Sequence, residues 1–387
     1  MEWLQKNTLL IGYYKKQHIN FDNDTISSFD LDHTLIRPKI IKGKSRTFPN
    51  NKDPHDWEFH YANVKNVLNK LIKKNRIIIY TNQSNILNHV NIWKEKIENI
   101  AKQLNLPFEI YVSTEHDKYR KPLTFGWSEF IKGNKETSFY CGDAMGRKGI
   151  YVTKGNKPDH SSCDLMFAKN LKIAFKTPED IFKNIKIVIP EIEYKIPTLC
   201  STIPDDVISC LSNLPQKLNI IINVGFPGSG KSYFSNMFLK MLKYKIINQD
   251  KLKTLAKCKK EACIQLEKNR NIVIDNTNVS KNTRHEWVLI GKKYKADVVI
   301  VHFNTPVTMC KHNNIFRNII TNGKQKIIPT IAYNIANKYF ELPSTNELVS
   351  GNVPNINENV KKIYTIEPYY MINSTSETVL YTQYLHT

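Results

Sequence analysis

No apolar run in the 387-residue sequence approaches the roughly 20 residues that a membrane span needs. The opening residues, Met1-Glu2-Trp3-Leu4-Gln5-Lys6, lack the basic stretch and apolar core of a secretory signal. Neither a membrane protein nor a secreted one is expected. Cysteines are few and odd in number: Cys141, Cys163, Cys200, Cys210, Cys258, Cys263 and Cys310. Cys258 and Cys263 have no His or Cys partner at zinc spacing, so the expectation is reduced, mostly buried thiols in an intracellular protein. No internal repeat, low-complexity tract or compact nuclear-import cluster is present, so a nuclear, cytoplasmic or viral setting is equally compatible. Acidic residues are also scarce, 35 Asp+Glu against 56 Lys+Arg, for a formal charge of +21. The excess is not a tail: residues 1–190 hold 31 basic and 20 acidic residues, residues 191–387 hold 25 and 15. Abundant Lys, Asn and Ile also fit an AT-rich genome, but such a surface steers a polyanion, and nucleic acid is the obvious candidate.

Two phosphate-handling signatures are present. Ser28-Phe29-Asp30-Leu31-Asp32-His33-Thr34-Leu35 places Asp-x-Asp-x-Thr at the end of an apolar run. Gly225-Phe226-Pro227-Gly228-Ser229-Gly230-Lys231-Ser232 is a complete G-x-x-x-x-G-K-[ST] after the apolar run Leu218–Val224. Strand-like stretches at 25–31, 76–80, 108–112 and 137–141 alternate with helical spacing at 61–75 and 86–104. A second α/β pattern has strands at 218–224, 244–248, 271–274 and 297–303. Residues 188–217, with Pro190, Pro197, Pro204 and Pro215, show little periodicity. The expected architecture is α/β, two doubly wound parallel-sheet domains at 1–190 and 217–387, joined by a linker at 191–216.

Hydrolysis through an aspartyl nucleophile needs an attacking carboxylate, a second acid, groups that hold the phosphoryl oxygens, and a metal. Asp30 and Asp32 reach one pocket if the chain turns after the first strand. Thr81 and Asn82 close the next strand and suit phosphate binding. Lys121, in Tyr119-Arg120-Lys121-Pro122, supplies a cation, and Asp143, in Gly142-Asp143-Ala144-Met145-Gly146-Arg147, a metal-binding carboxylate. This ordered set resembles the haloacid dehalogenase superfamily of phosphatases. The resemblance implies Asp30 as nucleophile, Asp32 as general acid/base, and Thr81 and Lys121 on the phosphate. Mg²⁺ would be held by Asp30, the Asp32 carbonyl and Asp143, with Asp164 an additional acid nearby. His33 departs from the pattern, which often has Gly there. The gaps from Asp30 to Thr81 and from Thr81 to Lys121 leave no room for the large cap domain usual in relatives that act on small metabolites, so a macromolecular end is the better substrate.

In the second signature Gly225, Gly228 and Gly230 permit a loop whose N–H groups cradle phosphates, together with Ser229. Lys231 reaches the β/γ oxygens of ATP and Ser232 ligates Mg²⁺. Asp250 can accept a proton from an attacking hydroxyl. Asp275, in Asp275-Asn276-Thr277-Asn278, stands where a Walker-B-like acid belongs. Arg317, in His312-Asn313-Asn314-Ile315-Phe316-Arg317, can close over the γ-phosphate. Lys251, Lys253, Lys257, Lys259 and Lys260 follow Asp250, and Lys251 and Lys253 are candidate backbone-phosphate contacts without sequence readout.

Together, GFPGSGKS, NQD, IDNTN and HNNIFR resemble the kinase domain of the polynucleotide kinase 3′-phosphatase family, and the first-domain motifs resemble its phosphatase domain. The order, phosphatase then kinase, is that of the animal members. The resemblance covers roughly residues 20–345, including Phe48-Pro49, Trp57 and Thr177-Pro178-Glu179. It implies an end-healing enzyme for DNA or RNA, acting on 3′-phosphate and 5′-hydroxyl ends with ATP and Mg²⁺. Asp250 would activate the 5′-hydroxyl. The partners it implies are nucleic-acid ends with a ligase or other repair protein downstream, and a monomer is expected. The forkhead-associated domain of the animal members is not expected, since the chain begins close to Asp30. The alternative is a metabolic fusion of a small-molecule phosphatase and a small-molecule kinase. Trp57, Trp93 and Trp127 are expected in cores. The tail past Pro354, with Tyr364, Tyr369, Tyr370, Tyr381 and Tyr384, has no functional reading.

Overall fold

The computed structural model describes residues 1–40, 47–84, 86–147, 158–191, 205–214, 217–321, 323–344 and 360–368, with 381, 383 and 385. Cys200, Pro197, Pro204, Pro215, Tyr369, Tyr370 and Tyr384 lie outside the described residues. Two compact units are present, Met1–Lys195 with Gln383–Thr387, and Ile196–Thr382.

The first unit is built on strands β1 (Glu2–Lys6), β2 (Leu9–Tyr14), β3 (Ile26–Phe29), β4 (Ile36–Arg37), β5 (Glu58–Phe59), β6 (Arg76–Asn82), β7 (Phe108–Ser113), β8 (Phe139–Cys141) and β9 (Ala174–Lys176). Seven of them form one sheet in the order β1-β2-β7-β6-β3-β8-β9. From β7 to β9 every pairing is parallel. The central strands are buried along their whole length, as the short apolar runs require of strands covered on both faces. Helices α1 (Val64–Leu71), α2 (Val90–Leu104), α3 (Phe125–Phe130), α4 (Cys163–Leu171) and α5 (Pro178–Lys183) supply the cover. Trp93, Ile97, Ile100, Ala101 and Leu104 recur at helical spacing along α2 and fill the core on one face of the sheet. Tyr80, Tyr111, Trp127, Tyr140 and Phe167 fill the other. Trp57, Trp93 and Trp127 are all buried. At α5 a capping box sets the start: Thr177 accepts from Asp180 N–H, with Pro178 at the first helical position.

The sheet is not wholly parallel. β1 and β2 form a hairpin, and β2 runs antiparallel along β7, closing an edge that the sequence pattern leaves open. β1 is mostly exposed, so it carries no buried apolar run to announce it.

The second unit has a five-stranded parallel sheet, β11 (Lys245–Ile247), β12 (Ile272–Ile274), β10 (Asn219–Val224), β13 (Asp297–Phe303) and β14 (Val360–Ile366), in that order. Its helices are α6 (Asp205–Ser212), α7 (Lys231–Phe234), α8 (Gln249–Leu252), α9 (Leu255–Glu267), α10 (Lys281–Lys293), α11 (Val307–Ile320) and α12 (Thr330–Tyr339). A π turn, Ser235–Leu239, continues α7. Helix α6 falls inside the stretch read as linker, and its Val207 and Leu211 are buried with Ile221, Phe234 and Phe303 in this unit's core. The tyrosine-rich tail contributes β14, whose Tyr364 packs in the same cluster. The six described cysteines are free thiols.

Candidate active sites

The first site lies where strands β3, β6 and β8 end, at the carboxyl edge where open parallel sheets present polar side chains. Asp30 follows β3, and its N–H bonds the Cys141 carbonyl of β8 (2.8 Å). The chain then turns tightly: Leu35 and Ile36 N–H both donate to the Leu31 carbonyl, and His33 N–H donates to Ile36. The turn returns Asp32 to the pocket, and it requires His33 at φ +58°. That left-handed conformation accounts for glycine at this place in the family pattern.

Lys121 is the hub. Its Nζ donates to Asp30 Oδ1 (2.6 Å), Tyr140 Oη (2.7 Å) and Asp164 Oδ1 (2.8 Å), all buried. Asp30, Asp143 and Asp164 present ligand atoms within 4.8 Å of one another. Asp164, expected either behind the site or as an additional acid in it, lies within this cluster. Its second oxygen accepts from Ala144 N–H (3.0 Å), tying Lys121 to the loop that carries Asp143. Gly142 is required here, because a Cβ would lie 2.3 Å from Asp164 Oδ2. Arg147 braces the same loop through Asp159 (2.9 Å), Glu179 (3.3 Å) and the Asp143 carbonyl (3.2 Å).

Burial raises the Asp30 carboxyl to about 7, with Lys121 opposing the rise and Asp164 adding to it. Burial also raises Asp32, against a hydrogen bond from Gln83, and raises Asp143 well above the usual carboxylate range, helped by Asp164 and Asp30. Thr34 Oγ1 reaches Asp143 Oδ1 at 3.5 Å.

Asn82 sits differently from the phosphate-binding role expected of it. Its amide nitrogen donates to the Lys121 carbonyl (3.0 Å) and its oxygen accepts from Lys121 N–H (2.9 Å). Both ends of the side chain are spent on holding Lys121. Gln83, to which the sequence pattern assigns no role of its own, donates from Nε2 to Asp32 Oδ2 (2.6 Å) and to Thr81 Oγ1 (3.1 Å). The signal was available: Gln83 completes the Thr81-Asn82-Gln83 strand end. Tyr140 was also passed over, and as a buried aromatic in β8 it gives no sign in sequence of its polar duty.

The second site is the loop between β10 and α7. Gly228 has φ +79°, and a Cβ there would lie 2.4 Å from the Cys310 carbonyl, so only glycine fits. The loop is tied down at its start by Gly225 N–H to the Thr277 carbonyl (3.0 Å). Phe226 stacks on Phe340 at 5.1 Å. Thr305 Oγ1 donates to the Ser229 carbonyl (3.2 Å). Lys231 Nζ donates to the carbonyls of Gly225 (2.9 Å) and Phe226 (2.6 Å) and to Ser229 Oγ (3.2 Å). Burial pushes this lysine down to about 8; Asp275 opposes most strongly, with Asp250 acting the same way and Arg317 the opposite. These four motif residues thus share one electrostatic neighbourhood. Ser232 is exposed at the loop–helix junction.

Asp275, at the end of β12, accepts from Asn248 Nδ2 (3.1 Å) and from Asn223 Nδ2 (3.5 Å). Asn248 caps α8 by accepting from Lys251 N–H (3.2 Å), which leaves Asp250 exposed in the first turn and free of the capping role. Arg317 donates to Asn314 Oδ1 (3.1 Å), and its buried Nε has no hydrogen-bond partner among the described residues. Asn278 is scaffolding: it donates to the Asn223 carbonyl (2.8 Å) and accepts from Trp287 Nε1 (3.3 Å). Lys251 and Lys253 are exposed, whereas Lys259 pairs with Glu286 (2.8 Å).

The model of the family described as polynucleotide kinase 3 phosphatase matches residues 25–182, and that of an AAA domain matches residues 220–343. The bifunctional polynucleotide phosphatase/kinase of Schizosaccharomyces pombe is 33% identical over 362 residues, covering 90% of this chain and 82% of that protein. A relative bearing the bifunctional polynucleotide phosphatase/kinase name in Acanthamoeba polyphaga mimivirus is 31% identical, covering 96% and 91%. The polynucleotide 3′-phosphatase of Saccharomyces cerevisiae is 26% identical, covering 45% of this chain and 95% of that protein.

Proposed function

Since the chain belongs to the bifunctional polynucleotide phosphatase/kinase family, we propose that it heals nucleic-acid ends, hydrolysing a 3′-phosphate at one site and phosphorylating a 5′-hydroxyl at the other. The observation that carries this reading is the pair of separately built phosphate sites in one chain, one crowded with carboxylates around Lys121 and one a glycine loop around Lys231. The metabolic-fusion alternative is not favoured, because the relatives that span most of the chain bear polynucleotide names.

At the first site Asp30 attacks the 3′-phosphate, and Asp32, steadied by Gln83, protonates the departing 3′ oxygen. The aspartyl-phosphate on Asp30 is then cleaved by water that Asp32 deprotonates. Thr81 and Lys121 hold the phosphoryl oxygens. Three converging carboxylates against one buried ammonium suit a divalent cation, and Asp30, Asp143 and the Asp32 carbonyl would hold Mg²⁺. Bound there, the ion would offset charge on the phosphoryl group.

At the second site the loop N–H groups and Lys231 hold ATP, with Ser232 placed for its Mg²⁺. Asp250 takes the proton of the 5′-hydroxyl as that oxygen bonds the γ-phosphorus and the bond to ADP breaks. Arg317 faces the transferring phosphoryl group, and Asp275 keeps Asn248 and Asn223 in register behind the loop. Lys251 and Lys253 hold the strand backbone. The substrates would be DNA or RNA ends, made ready for a ligase, by a monomer, a reading supported by the residues named at each site falling within one unit. Such work belongs inside a cell, in nucleus or cytoplasm; among the described residues no helix is long and apolar enough to cross a membrane.

The test is an end-conversion assay on a nicked duplex bearing a 3′-phosphate and a 5′-hydroxyl, with ATP and Mg²⁺. Both ends should convert, and omission of ATP should spare only the 3′ reaction. Conversion of small phosphomonoesters and small acceptors with neither end touched would defeat the reading.

A further inference from the structure

We infer that Tyr381, in the tyrosine-rich tail, is a positioning residue for the nucleotide loop of the second site, acting through Asn313 on Gly228. The inference rests on the kinase reading of that site.

Tyr381 is wholly buried, although nothing in its surrounding sequence marks a core position. Its ring meets His312 edge-on at 4.6 Å and Phe316 at 5.0 Å, both on α11. Its hydroxyl donates to Asn313 Oδ1 (2.8 Å), and Asn313 Nδ2 donates to the Gly228 carbonyl (3.0 Å). The three groups form one directed chain. An Asn amide has an acceptor end and a donor end, and a hydroxyl that donates to the first commits the second to the opposite side. Tyr381 therefore selects the Asn313 orientation that offers a donor to the loop.

That donor matters because of where it lands. The Gly228 carbonyl belongs to the same planar peptide unit as Ser229 N–H, so fixing one fixes the other. Ser229 N–H in turn closes the loop onto the Phe226 carbonyl (3.2 Å). A carbonyl held by Asn313 cannot rotate its negative end toward a bound phosphate, and the cradle is kept in a conformation that receives anions. Arg317 lies four residues beyond Asn313 on α11, hence on the same helix face, so seating the helix also sets the guanidinium beside Lys231.

Tyr381→Phe tests this, since it keeps the ring and removes only the hydroxyl. The Kd for Mg-ATP and the KM for ATP should each rise about three- to tenfold, the worth of roughly one buried hydrogen bond. The kcat for 5′-phosphorylation should stay within about twofold, and 3′-phosphatase activity should not change. In an Asn313→Ala background the same substitution should add nothing, because the two residues act in series. Unchanged ATP affinity in Tyr381→Phe would overturn the inference, as would a full added effect in the Asn313→Ala background. A lowered unfolding temperature with unchanged ATP affinity would also overturn it, by showing packing alone. If the unaltered chain binds ATP yet fails to phosphorylate a 5′-hydroxyl, the kinase reading falls while the affinity comparison still decides the role of Tyr381.

Discussion

The two units each bury one lysine at their phosphate site, and the two lysines are compensated in opposite ways. Burial alone would drive protons from both. At Lys121, Asp164 and Asp30 outweigh burial and hold the ammonium well above the ordinary lysine range. At Lys231 the direct partners are two main-chain carbonyls and a serine hydroxyl, and burial wins, pushing the group down to about 8. The first site gathers three carboxylates, Asp30, Asp143 and Asp164, around one cation, a donor set of the kind that suits a metal ion. The second offers a cation whose partners are uncharged dipoles, and so has attraction to spare for a polyphosphate. A motif lysine thus says little until its acceptors are known: ion-paired, it orders an acid cluster; dipole-held, it waits for an anion.

The sharpest break of this comparison is to disable each site alone. Asp30→Asn should cut 3′-phosphatase activity about a thousandfold or more with 5′-kinase activity retained, and Lys231→Ala should do the reverse. Loss of both activities from either change, read on a doubly labelled nicked duplex, would refute separate sites. Stability comes next. Lys121→Met strands Asp30 and Asp164 in the interior and should destabilise the first unit by about 3–5 kcal/mol, whereas Lys231→Met strands no charged partner and should cost the second unit about 1 kcal/mol or less. Separate unfolding transitions followed by calorimetry would resolve the two. Equal losses would show that the difference in partners is immaterial.

Smaller effects sharpen the picture of the first site. Gln83→Leu, which frees Asp32, should lower phosphatase kcat about ten- to a hundredfold with KM little changed. His33→Gly relieves the left-handed turn and should stabilise the first unit by about 1 kcal/mol in denaturant titration. The least effect is a pH dependence. Burial lowers His60 from 6.5 to about 4, so its neutral form is favoured in the fold. Its contribution to stability is complete above pH 6.5 and drains as pH falls toward 4, where the unfolded chain takes up a proton first. His60→Gln should flatten that part of the stability profile, and parallel profiles for the two proteins would discount it.

Much of this was legible in the residues. Short fully buried strands leave largely apolar runs, and the polar residues at their carboxyl ends meet along one edge of the sheet; Asp30, Thr81 and Asp143 stand at such ends. The glycine loop was legible because three glycines and a lysine at fixed spacing leave few other conformations. What escaped depends on side-chain direction or on contacts distant in sequence. Asn82 closes β6 and Gln83 follows it directly, yet one turns to the Lys121 backbone and the other to Asp32, and no pattern distinguishes them. Exposed β1 has no apolar period, and β14 pairs with a strand some sixty residues earlier in the chain. Tyr381 meets Asn313 across a similar distance.

The N-terminal hairpin has a consequence for handling the protein. β7 is buried along its length, and β2 covers its outer row of main-chain hydrogen-bonding groups. Shortening the chain past Tyr14 would bare that row on an apolar strand, a ready template for the same strand of another copy. Material trimmed in this way should cluster and precipitate with both catalytic centres chemically intact, and an affinity tag is better carried on the exposed β1 end than substituted for it.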